Sequence, residues 1–304
     1  MMDQFEGKPI PGSDGAAVPL FSPDGQWLAY NTLDSPRKIR RIPVTGGTSS
    51  AVCDGDLFNG GVWTDDDMII WGGPKGLQRV PAGGGTPEAL TTLDTSKHEL
   101  VHLRPQVLTP QQILFTVVTG DAADFAVLDL KTKKYRTVAK GGINGRYMPS
   151  GHLTFVRGST LFAVPFDLAS LAPVGTEVPV VENVSTNGPS GTGDYAVSQN
   201  GVLVYVNSDS AGGGTTLAWA DRKGATQALP GQARKDWGTG RLSPDGRRVA
   251  NSITADKGAD IWVLDTDRGN PTRLTFGGAN DSPIWTPDGK RIVYMGSKIG
   301  RSHV

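Results

Sequence analysis

The sequence predicts an all-β chain, a β-propeller of four-stranded antiparallel blades, and three observations carry that expectation. A Ser/Thr-Pro-Asp-Gly turn recurs between apolar strand segments at Phe21–Tyr30, Leu242–Ala250 and Trp285–Tyr294. Glycine and proline, 41 and 21 of the 304 residues, are scattered along the chain rather than clustered. That is the composition of many tight turns and short strands. Two-residue alternation of apolar and polar positions is common, and no stretch carries helical periodicity.

Each turn residue has a physical task. Proline sets φ for the first turn position, aspartate suits the next, and glycine supplies the left-handed residue that closes the hairpin. Weaker copies of the hairpin follow Trp63–Asp67, Leu108–Gln111, Tyr147–Gly151 and Val197–Gly201, which makes seven in all. Most are followed by a third and a fourth strand, such as Ile39–Val44 with Ser49–Val52, or Ile261–Leu264 with Thr272–Thr275. A four-stranded unit repeated about every 40–45 residues is the propeller solution to unpaired sheet edges. The count predicts seven blades, with six as the alternative if residues 141–182 or 185–230 pack irregularly. Gln4–Pro11 reads as a fourth strand and few residues follow Tyr294, so the two termini are expected to share one blade. The whole chain, 1–304, reads as one domain.

Composition excludes several functions. Thirty basic and thirty acidic residues cancel, so no basic stripe offers itself to a phosphate backbone and nucleic acid is not an expected partner. Cys53 is the lone cysteine, which rules out an intramolecular disulfide and a cysteine-rich metal site. No apolar run approaches the roughly 20 residues of a membrane span, and the first residues lack the pattern of a signal peptide. A monomer is expected.

The Ser/Thr-Pro-Asp-Gly hairpins resemble the PD40 repeats of TolB-like β-propellers. Within that group, Gly141–Val184, Thr86–Thr92 and Ala259–Asp288 resemble the C-terminal sensor propeller of bacterial serine/threonine protein kinases. The resemblance implies a sensor that binds a small molecule, peptide or protein, with a periplasmic or extracytoplasmic location in a receptor-like parent. Kinase chemistry is not expected: the chain has no glycine-rich loop with a strand lysine, no His-Arg-Asp loop and no Asp-Phe-Gly. It also stops within a repeat by the family pattern, which suggests a piece of a longer protein.

Candidate site residues follow from propeller geometry. The first strand of each blade lines the central channel, so residues just before those strands converge at one mouth. Alignment of the hairpins puts Ala17, Asn59, Arg104, Asn144, Asp194, Asp236 with Trp237, and Asn280 with Asp281 there, and His102 lies two residues before Arg104. Arg104, Asn59, Asn144 and Trp237 are the candidate binding residues, with Trp237 an exposed aromatic. Asp194, Asp236, Asp281 and Asn280 form an oxygen-rich set of the kind that selects Ca²⁺ or another divalent cation. Such an ion could activate water, with His102 and Asp236 as the catalytic pair.

Two readings of function result. One is a non-catalytic sensor or ligand-binding propeller. The other is a divalent-metal-dependent hydrolase of activated esters, lactones or phosphotriesters, for which six-bladed calcium-dependent lactonases are a fold-level analogy. The other tryptophans fall at repeat-equivalent strand positions and are expected to pack between blades. The Arg37–Arg41 cluster is expected to solvate an outer strand and blunt its edge.

Overall fold

The computed structural model describes residues 10–57, 60–120, 122–186, 193–197, 202–210, 214–221, 225–230, 237, 240–255 and 258–297. They form six sheets, the blades of a β-propeller. Blade I holds β1 (Ala16–Phe21), β2 (Trp27–Thr32), β3 (Lys38–Pro43) and β4 (Ser50–Asp54). Blade II holds β5 (Gly61–Trp63), β6 (Met68–Trp71), β7 (Gln78–Pro81) and β8 (Glu88–Ala89). Blade III comprises β9 (Glu99–Thr109), β10 (Gln112–Thr119), β11 (Ala122–Asp129) and β12 (Lys134–Lys140). Blade IV runs β13 (Ile143–Met148), β14 (His152–Arg157) and β15 (Thr160–Asp167), with β16 (Ala172–Pro173) and β17 (Val178–Val181) both paired to β15.

Blade V consists of β18 (Tyr195–Val197), β19 (Leu203–Ser210), β20 (Gly214–Ala220) and β21 (Thr226–Ala228). Blade VI begins with β22 (Arg241–Leu242), β23 (Arg248–Ala255), β24 (Gly258–Asp265) and β25 (Pro271–Arg273). The seventh hairpin, β26 (Gly278–Trp285) and β27 (Ile292–Ser297), is joined to it.

The chain divides into two compact units. Ile10–Glu182 with Thr186–Gly193 carries blades I to IV, while Asn183–Ser185 with the chain from Asp194 carries blades V and VI. In the first unit the innermost strands β1, β5, β9 and β13 pack one against the next, and in the second β18, β22 and β26 do the same.

The recurring turn is closed by a hydroxyl–carboxylate clamp. The Ser243 hydroxyl donates to Asp245 Oδ1 at 2.5 Å and accepts the Arg248 amide at 3.0 Å, while Asp245 Oδ1 also accepts the Arg247 amide at 3.1 Å. Ser22 with Asp24 and Thr286 with Asp288 repeat these bonds. Thr64 and Asp66 keep the clamp where the sequence match is weaker, with Asp67 taking the left-handed glycine place at φ 60°. The hydroxyl bond, followed by the backbone amide, holds the Asp24, Asp245 and Asp288 carboxyls below their ordinary values.

Between blades the cores are apolar. Ile39 and Val52 meet Trp63, Ile69 and Trp71; Leu77 and Leu90 meet Ile113 and Phe115; Phe125 and Val127 meet Phe155 and Phe166; Val206 and Leu217 meet Val249 and Ile253. Full burial of one such side chain contributes about 1.5–3 kcal/mol. Trp63, Trp71 and Trp285 are buried in these layers, and Trp27, Trp219 and Trp262 pack against their edges, as repeat-equivalent positions require.

Six blades, rather than the seven favoured by the hairpin count, result from one short parallel bridge. Gly258 pairs with Gly278 and Ala259 with Ala279, which fastens β26 to β24. A Cβ on Gly258 would stand 2.0 Å from the Gly278 carbonyl oxygen, and its φ is +121°, so only glycine allows the approach. Asp260, buried beside this bridge, accepts from the Thr275 hydroxyl at 2.9 Å, the Gly277 amide at 3.0 Å and Asn280 Nδ2 at 3.2 Å, and is ion-paired to Arg273. The Trp285 indole then donates to the Arg241 carbonyl at 2.8 Å beneath the Arg248 guanidinium. The expected sharing of a blade by the termini rests on Gln4–Pro11, of which residues 4–9 lie outside the described residues.

Ser243 is fully buried, so Ser243→Ala leaves a buried amide without its acceptor. It should cost about 1–3 kcal/mol, read as a fall in calorimetric Tm. Because the turn aspartates titrate lower in the fold than in the open chain, their contribution is whole above about pH 4 and is lost as pH falls through the folded values. Stability measured against pH should therefore decline on the acid side, and Asp245→Asn should flatten part of that decline.

Candidate functional site

The inner strands share a deformation. The β1–β2 register breaks between Ala17 and Leu20, with Val18 at φ 52°. The same break occurs in β9 around Arg104 (φ 54°), in β13 at Asn144 (φ 56°) and in β26 at Ser282 (φ 53°), and Gly60 (φ 86°) stands at the head of β5. Val18, Gly60, Asn144 and Ser282 each lie four residues before the first turn position of their hairpin. At Val18, Arg104, Asn144 and Ser282 these are β-bulges, each with its extra residue in the left-handed region, which costs a non-glycine residue about 1–2 kcal/mol. Proline follows at Pro19, Pro105 and Pro283 and glycine at Gly61 and Gly145. Proline suits the place because it has no N–H to leave unpaired when the ladder is interrupted.

A bulge re-aims its side chain, and here it does so from blade to blade. Arg104 donates to Asn144 Oδ1 at 3.4 Å, and Asn144 Nδ2 donates to the Gly193 carbonyl at 3.0 Å. Arg104 and Asn144, two of the expected binding residues, are thus brought together in the first unit. Asn144 is buried and Arg104 half-buried. Of the others, Ala17 lies buried at the same bulge level of blade I. Asn59 and Asp236 lie outside the described residues.

His102 is placed differently from the expectation. Its ring is 0% exposed, between Phe115 at 4.9 Å and Tyr135 at 5.3 Å between centroids. The Thr91 hydroxyl accepts the Leu77 amide at 2.7 Å and contacts His102 Nδ1 at 2.8 Å, while Nε2 lies 3.1 Å from Glu99 Oε2. Thr91 therefore gives its proton to Nδ1, and the imidazole is neutral with its own proton on Nε2, donated to Glu99. Burial pulls the His102 pKa down against the opposing pull of Glu99. Burial would raise Glu99, but the Asp94 amide, the Tyr135 hydroxyl and His102 together hold it low.

With both ring nitrogens engaged and no solvent exposure, His102 offers no base to a substrate in this arrangement. The physical reason for the misplacement is the bulge: it breaks the two-residue alternation between His102 and Arg104, so the two side chains do not share a face.

The expected metal ligands are also engaged. Asp194 is buried and accepts from the Ser185 hydroxyl at 2.9 Å. Asn280 and Asp281 are consecutive on β26 and point to opposite faces: Asn280 is buried against Asp260, and Asp281 is exposed, capping the Ser282 amide at 2.6 Å. Among the described residues no group of three or more His, Cys, Asp or Glu side chains is close enough to hold a metal ion. Trp237 is corrected from an exposed aromatic to a core one: it is 3% exposed, bridges to Ile253 and packs between blades V and VI. Thr91, Glu99, Tyr135 and Asp260 were not singled out from sequence. A local cue existed in the repeated Leu-Thr at Leu90-Thr91 and Leu274-Thr275, whose hydroxyls accept equivalent third-strand amides of Leu77 and Ile261.

No family model matches the sequence. An uncharacterized protein of Agrobacterium fabrum is 30% identical over 112 residues, 36% of this chain and 38% of that protein, so the match spans little more than a third of either. Among solved structures, an oligogalacturonate lyase in complex with manganese superposes with a TM-score of 0.68 at 13% identity, covering 90% of this chain and 83% of that one. TolB from Acinetobacter baumannii gives 0.53 at 14% identity, covering 90% and 75%. The chain has the fold of the TolB-like β-propellers. Puromycin hydrolase shares it, with a TM-score of 0.62 at 16% identity over 96% of this chain and 50% of that one. No helix among the described residues is long and apolar enough to cross a membrane.

His102→Ala should act on stability, costing about 2–4 kcal/mol through the cavity and the unpaired Glu99 and Thr91, seen as a lower denaturation midpoint. The folded His102 pKa lies below the unfolded value of about 6.5. The stability that its neutrality provides is therefore complete above that pH and lost as pH falls toward the folded value. Denaturant titrations across that range should show a slope that His102→Ala removes.

Proposed function

We propose that this propeller is a non-catalytic sensor module that binds a small molecule or peptide at the Arg104–Asn144 edge of its inner strands. What carries the reading is that a strained, repeat-equivalent bulge brings an arginine and an amide from neighbouring blades together, at positions where backbone strain is otherwise hard to justify. A guanidinium there matches carboxylates, its planar fork giving paired hydrogen bonds. The resemblance to the sensor propellers of bacterial kinases supports the same role and an extracytoplasmic location, with the monomer as working unit.

The second reading is a divalent-metal-dependent hydrolase. It is supported by likeness of fold to a manganese-bound lyase and to puromycin hydrolase. On that reading Asp236 would join Asp194 at the ion, the expected Asn280 and Asp281 being divided between opposite faces of β26.

Hydrolysis of chromogenic aryl esters and phosphotriesters, with and without chelator, separates the two. The sensor reading expects no turnover above buffer and no response to chelation. A rate abolished by chelator and restored by one divalent ion establishes the hydrolase instead. For binding, ligand-detected NMR with benzoate and short peptides should show association that Arg104→Ala weakens about tenfold, the worth of one charge-assisted pair.

A further inference from the structure

Away from the inner strands, the chain opens a cleft of about 570 Å³ beside β8 of blade II and β12 of blade III. Thr91, Asp94 and Tyr135 line it with Lys97, Lys133 and Lys134, and the Glu88 carboxylate stands against Lys133. The volume suits a ligand of small-molecule size.

The charge is local and unexpected in a neutral chain. Residues 131–140 hold Lys131, Lys133, Lys134, Arg136 and Lys140 and no acidic side chain. β12 is the outer edge of its sheet; Lys133 and Lys134 line the cleft, while Arg136 reaches the Ser170 and Leu171 carbonyls of blade IV.

Lys133 is the informative member. It occupies the turn between β11 and β12 with φ 54°, a left-handed position that glycine or asparagine fills at lower cost. The turn is fixed by Asp129, whose carboxylate accepts the Thr132 amide at 2.7 Å and whose carbonyl accepts the Lys133 amide at 2.8 Å. From there Lys133 pairs with Glu88 of blade II, which also holds Arg79 at 2.6 Å. Lys97 is paired to Asp94 at 2.9 Å. Both lysines are therefore poised by exposed ion pairs, which contribute little on their own and exchange readily for a stronger anion.

The wall behind them is rigid. Tyr135 gives its hydroxyl to Glu99 at 2.7 Å, Asp94 gives its amide to the same oxygen at 2.8 Å, and Thr91 is held by His102 and Leu77. The three lysines stand around this hydrogen-bonded wall.

We infer that this cleft is a binding site for a small, multiply charged anion, a phosphate ester or polycarboxylate, held by Lys97, Lys133 and Lys134 against the Tyr135 wall. It is separate from the Arg104–Asn144 edge, so either can fail without the other.

The test is isothermal titration of the full chain with tripolyphosphate and, separately, citrate at low ionic strength. Saturable binding is expected with at least one, and the stronger of the two identifies the phosphate or the carboxylate source. Lys134→Ala and Lys133→Gly should each weaken it about tenfold. Lys133→Gly should at the same time leave Tm unchanged or raised, because glycine relieves the left-handed strain. Lys290→Ala, an exposed lysine on the turn of β26 and β27, should change nothing. Absence of saturable binding with both anions, or equal weakening by Lys290→Ala, overturns the site.

Discussion

A serine or threonine hydroxyl that gives its proton to the aspartate two residues on, and takes the amide four or five residues on, is the contact on which the rest depends. At Ser22, Thr64 and Ser243 it closes the first hairpin of a blade, and at Thr286 the hairpin of β26 and β27. It satisfies a polar atom that would otherwise be stranded in a buried turn, as at the fully covered Ser243. Once the turn is closed the pairing register of the two strands is set, and with it which side chains face the next blade. The alternating positions of β2, β6, β10, β14, β19 and β23 then deliver the apolar layers between blades, and third and fourth strands add on outside.

The second constraint is the bulge in the innermost strands. It spends local strain to turn side chains sideways, so that Arg104 reaches Asn144 and Asn144 reaches Gly193. The polar groups expected to serve catalysis or a metal, His102, Asp194 and Asn280, are taken up by such ties. Thr91 and Thr275 hold equivalent third-strand amides, and each then passes its proton on, to His102 in one blade and to Asp260 in another. Both acceptors are buried, and a buried polar group stabilises the fold only when its partners are complete. Among the described residues, His102, Asn144, Asp194 and Asp260 hold strands together.

Turn chemistry and alternation were legible in the sequence because each is local: Pro-Asp-Gly states its own backbone angles, and an apolar alternation states its own face. The bulges were legible too, in Val18-Pro19, Arg104-Pro105 and Ser282-Pro283, where a proline inside a strand should announce an interrupted ladder. Reading those strands as regular put His102 on the face of Arg104 and at the channel. Trp237 is buried rather than exposed because its pairing with Ile253 places it between blades. The choice of six blades over seven rests on a backbone contact, Gly258 against Gly278, distant in sequence from the turns that suggested the count. Nothing in composition reveals that approach. The cleft near Lys133 depends on which blades are neighbours, and only its basic run was visible beforehand.

The account stands most directly on the state of one side chain. Nitrogen NMR of the His102 imidazole should show a neutral ring protonated on Nε2 that titrates below the ordinary histidine value, with slow exchange of the ring proton. A ring that titrates near the usual value of about 6.5 and exchanges its proton rapidly with solvent would contradict it. His102 would then be accessible, and a catalytic role at this propeller would return.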